Sequence, residues 1–161
     1  MRVRTVYKKW AARKARLATA TGTPIYLGDS NHMIGMLESD FPKVADRFAA
    51  MFPSAISPLW IKERTNLFVY FRNKTTRTLA VFTRDGKMSY AVANLDVASV
   101  PERLLGKVIR DYDECAIFNA RQVRAGDNTA YELVLDNKNE YIVLYTDEEE
   151  IVGESKISKQ V

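Results

Sequence analysis

An apolar helical stripe that is written twice, 60 residues apart, restricts this chain more than any other feature. Val44, Ala45, Phe48, Ala49 and Phe52 follow the i, i+1, i+4, i+5, i+8 spacing of a helix lying on a core. Leu104, Leu105, Val108, Ile109 and Tyr112 repeat that stripe position for position. Pro53 stops the first helix, and Ser39 or Asp40 is expected to cap it. Pro42 is tolerated in its first turn because an N–H there has no intrahelical acceptor. Ser99 with Glu102 offers the second helix a capping box.

Each stripe is followed by short β-rich runs. After the first come Ile56 to Glu63, Leu67 to Arg72, Thr78 to Arg84 and Lys87 to Val92, with Asp85-Gly86 as the clearest hairpin turn. Leu67, Val69 and Phe71 correspond to Tyr131, Leu133 and Leu135 at an offset of 64. Leu79, Val81, Thr83 and Met88 are matched to Ile142, Leu144, Thr146 and Ile151 at 63. Extra residues around Arg124 to Asn128 account for the drift from 60. The expected fold class is therefore α+β: two tandem α-then-antiparallel-β repeats, residues 40–98 and 99–157. They form one curved sheet with the helices packed on one face. Residues 39–161 are expected to be a single domain, preceded by a basic segment and linker over residues 1–38.

Charge supports that division. Residues 1–16 hold seven cations (Arg2, Arg4, Lys8, Lys9, Arg13, Lys14, Arg16) and no acid, whereas residues 17–161 carry 17 basic and 20 acidic side chains, a net of −3. The overall +4 thus belongs to the arm and not to the body. Val3, Val6, Tyr7, Trp10 and Leu17 give the arm partial helical spacing. Residues 19–39, rich in Gly, Thr, Ser and Asn, read as linker with a short strand near Ile25 to Leu27. No uninterrupted apolar stretch of signal-peptide length follows the first cations. The expected location is periplasmic or exported if Met1 replaces a removed signal peptide, and cytoplasmic otherwise.

Catalytic chemistry finds little to work with. His32 is the only imidazole and lies in a Gly/Asn/Ser loop, which excludes a His-based triad or a multi-His zinc site within one chain. Cys115, before the apolar Ala116-Ile117-Phe118, reads as a buried strand residue. Asp147-Glu148-Glu149-Glu150 lacks the alternating oxygen spacing and turn glycine of a calcium loop and reads as a solvated turn. The seven glycines, at 22, 28, 35, 86, 106, 126 and 153, form no phosphate loop. No enzyme, cofactor or metal is expected.

The motifs carry a resemblance. Asp40-Phe41-Pro42 with Phe52-Pro53, Trp60, Leu67-Phe68-Val69-Tyr70-Phe71 and Ala80-Val81-Phe82-Thr83-Arg84-Asp85-Gly86-Lys87 make the first set. Val100-Pro101, Ile109 with Tyr112, Tyr131-Glu132-Leu133-Val134-Leu135 and Val143-Leu144-Tyr145-Thr146-Asp147 make the second. In order and duplication, over residues 40–157, they resemble the PepSY-like, or beta-lactamase-inhibitor-like, periplasmic domain family found largely in Bacteroidetes. Glu149 departs from the pattern where a hairpin glycine is expected. The resemblance implies paired α+β repeats, no known catalysis, and a binding or inhibitory role exerted through an open sheet face.

Strand alternation names the residues of such a face. If Leu67, Val69, Phe71, Leu79, Val81, Ile142 and Leu144 face the helices, then Phe68, Tyr70, Phe82, Tyr141 and Tyr145 point outward as partner-binding anchors, and Trp60 belongs to the core. The expected function is a non-enzymatic module that recognises a protein or peptide there, inhibition included. The alternative is association of residues 1–16 with nucleic acid or an anionic membrane surface.

Overall fold

In the computed structural model the described residues are 37–160. They divide into two compact units between Ala93 and Asn94, each built from a helix and a run of strands. The first contains α1 (Pro42–Met51), β1 (Ala55–Glu63), β2 (Asn66–Asn73), β3 (Thr76–Thr83) and most of β4 (Met88–Leu95). The second contains a short 3-10 turn (Val97–Ser99), α2 (Glu102–Asp111), β5 (Ala116–Ala125), β6 (Asn128–Asp136), β7 (Glu140–Thr146) and β8 (Ile151–Ser158). The strands are antiparallel and ordered as in the chain, β1 to β8, in an eight-stranded sheet. This is the expected α+β fold of tandem α-then-β repeats. The arm of residues 1–16, the strand expected near Ile25 and His32 lie outside the described residues.

Each helix is bounded by backbone and not by the expected side-chain caps. Residues 37–40 are already helical, Phe41 is the N-cap of α1 without a side-chain bond, and Pro42 takes the first turn. Ser39 and Asp40 cannot cap α1 because the preceding turn has absorbed them. Ser99 likewise ends the 3-10 turn, giving its N–H to Asp96 O, and Pro101 is the N-cap of α2.

In the first unit Phe48 of α1 sits in a nest of rings. It meets Trp60 at 5.1 Å and Phe71 at 5.1 Å edge-on, with Phe52 at 5.7 Å and Phe82 at 6.3 Å. Edge-to-face contacts of this kind add to the burial of large apolar surface. In the second unit the corresponding positions are Val108, Tyr112, Ala120, Leu135 and Thr146, packed with Leu104, Leu133 and Leu144. The pattern is duplicated while its chemistry changes from aromatic to aliphatic.

Where the extra four residues enter is visible in the ladders. Trp60 pairs with Val69 and Ala120 with Leu133, at offsets of 60 and 64. Beyond those pairs the first hairpin closes at Glu63–Asn66, and the second runs two residues further on each arm to Ala125–Asn128. An even increment on each strand leaves every side chain on its face. The turn residues Arg64, Lys74 and Gly126 all take positive φ, near 52°, 56° and 58°.

The β3–β4 turn depends on Gly86. Its φ is 89°, its N–H donates to Thr83 O, and a Cβ there would stand 2.8 Å from the carbonyl oxygen of Lys43 in α1. The Thr83 hydroxyl donates to Asp85 and holds that carboxyl below its usual range. Gly106, by contrast, is an exposed interior residue of α2 with nothing within 4 Å of its missing Cβ. We expect Gly86→Ala to cost about 1–3 kcal/mol from left-handed strain and the Lys43 clash, and Gly106→Ala to gain about 0.5–1 kcal/mol. Urea unfolding of the two variants checks both signs.

Candidate binding surface

The side of each unit away from its helix was expected to carry five aromatic anchors, and the structure sorts them into three groups. Phe82 is 0% exposed and packs on Phe48 and Trp60, so it belongs to the helix side. The correction extends to all of β3. The ladder pairs Val69 with Ala80, Phe71 with Thr78 and Leu67 with Phe82, which turns Leu79 and Val81 away from α1. The true offset in β3 is 64, matching Ala80 to Leu144 and Phe82 to Thr146. Leu79-Ala80-Val81-Phe82 is apolar at every position and carries no two-residue period by which to choose a face.

Phe68 stands on the expected side, yet it is 3% exposed, and its ladder partner Val81 and the next residue of that row, Tyr90, are buried too. A continuous apolar run such as Leu67–Phe71 is the signature of a strand buried on both faces. The first unit therefore has no bare central aromatic face. Tyr70, Tyr141 and Tyr145 are half-buried on the expected side. Trp60 is core, as expected. Cys115 is half-buried in the turn before β5 and not within the strand, with its N–H bonded to Tyr112 O.

The second unit exposes what the first conceals. Phe118, 65% exposed, occupies an irregularity of β5 between the pairs Ile117–Leu135 and Asn119–Val134. β-Bulges re-aim side chains, and here the ring lies 5.9 Å from that of Tyr141. Tyr141 pairs with Asp136 on one side and Ile157 on the other, and Ile157 is 55% exposed. Lys159 lies 4.8 Å over the Tyr141 ring and bonds Asp136 and the carbonyl of Asn137. Phe118 and Ile157, both exposed, thus flank the half-buried Tyr141 in an apolar cluster with a pinned cation. Two-residue alternation in the sequence does not mark Phe118, because it does not register a bulge.

Beside this cluster runs a polar row, Arg121–Glu132–Tyr145–Gly153, one residue from each of β5 to β8. Glu132 is 1% exposed, with Arg121 Nη1 3.7 Å from its Oε1. Burial and the Glu132 carboxylate push the Tyr145 hydroxyl up, and a hydrogen bond with Ser155 pulls the other way. The Tyr145 ring packs over Gly153, its Cδ2 3.5 Å from where a Cβ would stand, an ordinary contact distance. The equivalent row in the first unit, Ile61–Phe68–Val81–Tyr90, has no charge. Among the described residues no group of three or more His, Cys, Asp or Glu is placed to hold a metal ion. The acidic run at 147–150 is a turn in which the Asp147 carboxylate accepts the N–H groups of Glu149 and Glu150, which replaces the missing glycine.

No protein-family model and no curated protein matches the sequence. Solved structures do. A BLIP-like protein from Bacteroides fragilis aligns at a TM-score of 0.64 and 11% identity, covering 85% of this chain and 92% of that one. The fold is the BLIP-like one. Two more proteins share it: a candidate periplasmic protein from Bacteroides eggerthii and a DUF2874 family protein from Bacteroides ovatus. The first aligns at TM-score 0.63 and 14% identity, covering 72% of this chain and 88% of its own. The second aligns at 0.62 and 13%, covering 71% and 85%. The BLIP-like fold is what the duplicated motifs implied.

Within the second unit of this BLIP-like fold, the end of α2 is tied to β8 by the Tyr112 hydroxyl, which donates to Glu154 Oε2 at 2.5 Å. Burial, the Glu154 hydrogen bond and the Glu154 charge push Tyr112 from 10 up to about 12. A folded pKa above the unfolded one stabilises fully below the unfolded value and is lost as pH rises through the folded one. Stability should therefore decline between pH 10 and about 12 as Tyr112 ionises. Tyr112→Phe should flatten that part of the profile, as read by urea midpoints at each pH.

Proposed function

We propose that the protein is a non-enzymatic, exported binding module that recognises a protein or peptide through aromatic side chains on the sheet side away from the helices. The observation that carries this reading is the exposed Phe118 ring beside Tyr141. A large rigid ring left mostly in water at a bulge gains little from burial within its own chain, and aromatic anchors dominate protein recognition at small entropic cost. The BLIP-like fold and the periplasmic description of the B. eggerthii neighbour support the class and the compartment. Tyr145 serves as a flanking contact within the second unit, Tyr70 is a separate contact of the first unit, and Phe82 and Phe68 are structural.

The reading is tested by capture from a periplasmic extract. Phe118→Ala and Tyr141→Ala should keep the wild-type unfolding midpoint to within about 1 kcal/mol and reduce capture at least about fivefold. Undiminished capture by both variants overturns it. Phe82→Ala, in the aromatic core, should instead destabilise by about 3–5 kcal/mol.

Segregated charge favours a second reading, in which the seven cations of residues 1–16 associate with nucleic acid or anionic membrane. Titration onto DNA and onto anionic vesicles at low and high salt decides it: absence of binding at low salt ends this reading.

A further inference from the structure

The two strands at the ends of the sheet order are built differently. β1 carries Pro58, a positive φ at Ser57 and a shift of register between Ile56 and Leu59. Proline and bulges of this kind blunt an edge against further pairing. β8 has neither between Gly153 and Ser158, where its ladder to β7 is regular and residues 154–158 are all exposed. Among the described residues β8 has a strand partner on one side only. Its outer edge is a regular template for one more antiparallel strand.

The sequence of that edge specifies its own mate. A second copy of β8 laid antiparallel about a two-fold axis, with Ser155 opposite Ser155 of the other copy, sets Glu154 opposite Lys156 twice. It also sets Gly153 opposite Ile157 twice. Since Tyr141 pairs with Ile157 and Tyr145 with Gly153, the cross-strand row becomes Tyr141, Ile157, then Gly153 and Tyr145 of the other copy. The exposed Ile157 side chain then lies on the space left by a glycine. Centring on Glu154 or on Lys156 would place like charges directly opposite each other, which is destabilising. Charge thus selects one register among the neighbours that keep the faces matched.

We propose that β8 is a self-pairing edge, docking a second copy of this chain as a two-fold dimer centred on Ser155. The contact is isologous, so it closes at two copies and does not propagate. Within one copy Lys156 lies 3.7 Å from both Glu140 and Glu154, and in the dimer it adds Glu154 of the other copy.

Sedimentation equilibrium of the full chain over a concentration series tests this. The wild type should be a dimer that weakens with salt. Lys156→Glu and Glu154→Lys should each weaken self-association by roughly tenfold, because two attractive pairs become repulsive. An equimolar mixture of the two variants should recover the wild-type affinity, since every pair in the mixed dimer is again opposite in sign. Substitution also disturbs the contacts to Glu140 and Tyr112, but mixing does not restore those, so the recovery reports the edge alone. Hydrogen exchange needs no substitution: β8 amides of the wild type should gain protection as concentration rises. A monomeric wild type, a dimer indifferent to both charges, a mixture as weak as its components, or β8 exchange independent of concentration overturns the proposal.

Discussion

The seating of one helix side chain on the sheet governs each unit. In the first, Phe48 meets four other rings at once, and those rings come from the C-cap of α1, β1, β2 and β3. A residue that touches so many elements fixes which face of each strand is interior, and from there alternation fixes everything on the other side. Val108 has the same place in the second unit without the aromatic contacts, and Leu104, Leu133, Leu135 and Leu144 fill the space. The geometry survives replacement of the chemistry because burial of apolar volume, more than any ring contact, is what the position requires.

How much of this was legible in the sequence depended on whether polar residues interrupted the apolar ones. Both helices were readable from their stripes, and the β5–β6 lengthening from the drift in offset. Faces were readable in β6 and β7, where Glu132, Asp136 and the tyrosines mark the second side. They are not readable in β3, where Leu79 to Phe82 contains no polar residue, and for that reason Phe82 lies on the side opposite to the expected one. Phe68 was placed on its true side but expected in solvent, because alternation reports direction and not coverage. Phe118 was invisible since a bulge breaks the period on which the reading relies. The caps failed because one extra helical turn before Phe41 and a 3-10 turn before Pro101 occupied the residues chosen.

The two units also differ in what they bury on the side away from the helix. One row is wholly apolar and the other holds a buried carboxylate beside an arginine. Removing one partner from such a pair leaves a charge in a poorly solvated place, a loss far larger than the net contribution of the pair. Polarity of this kind specifies register more sharply than packing does, because a slip of one residue would set Glu132 among the leucines of the helix side. The second unit therefore has a chemically marked alignment that the first lacks.

That asymmetry bears on how a duplicated chain reaches its structure. Two copies of one pattern in tandem invite a strand to pair with its counterpart's neighbour, the failure characteristic of repeat proteins. The β5–β6 hairpin, two residues longer on each arm than β1–β2, makes such an exchange unequal. β2 laid against β5 would run out of partners before the longer arm ended, leaving amides of that arm unpaired. Length difference between the copies acts as a proofreading device for strand choice, written into the loop end of one hairpin.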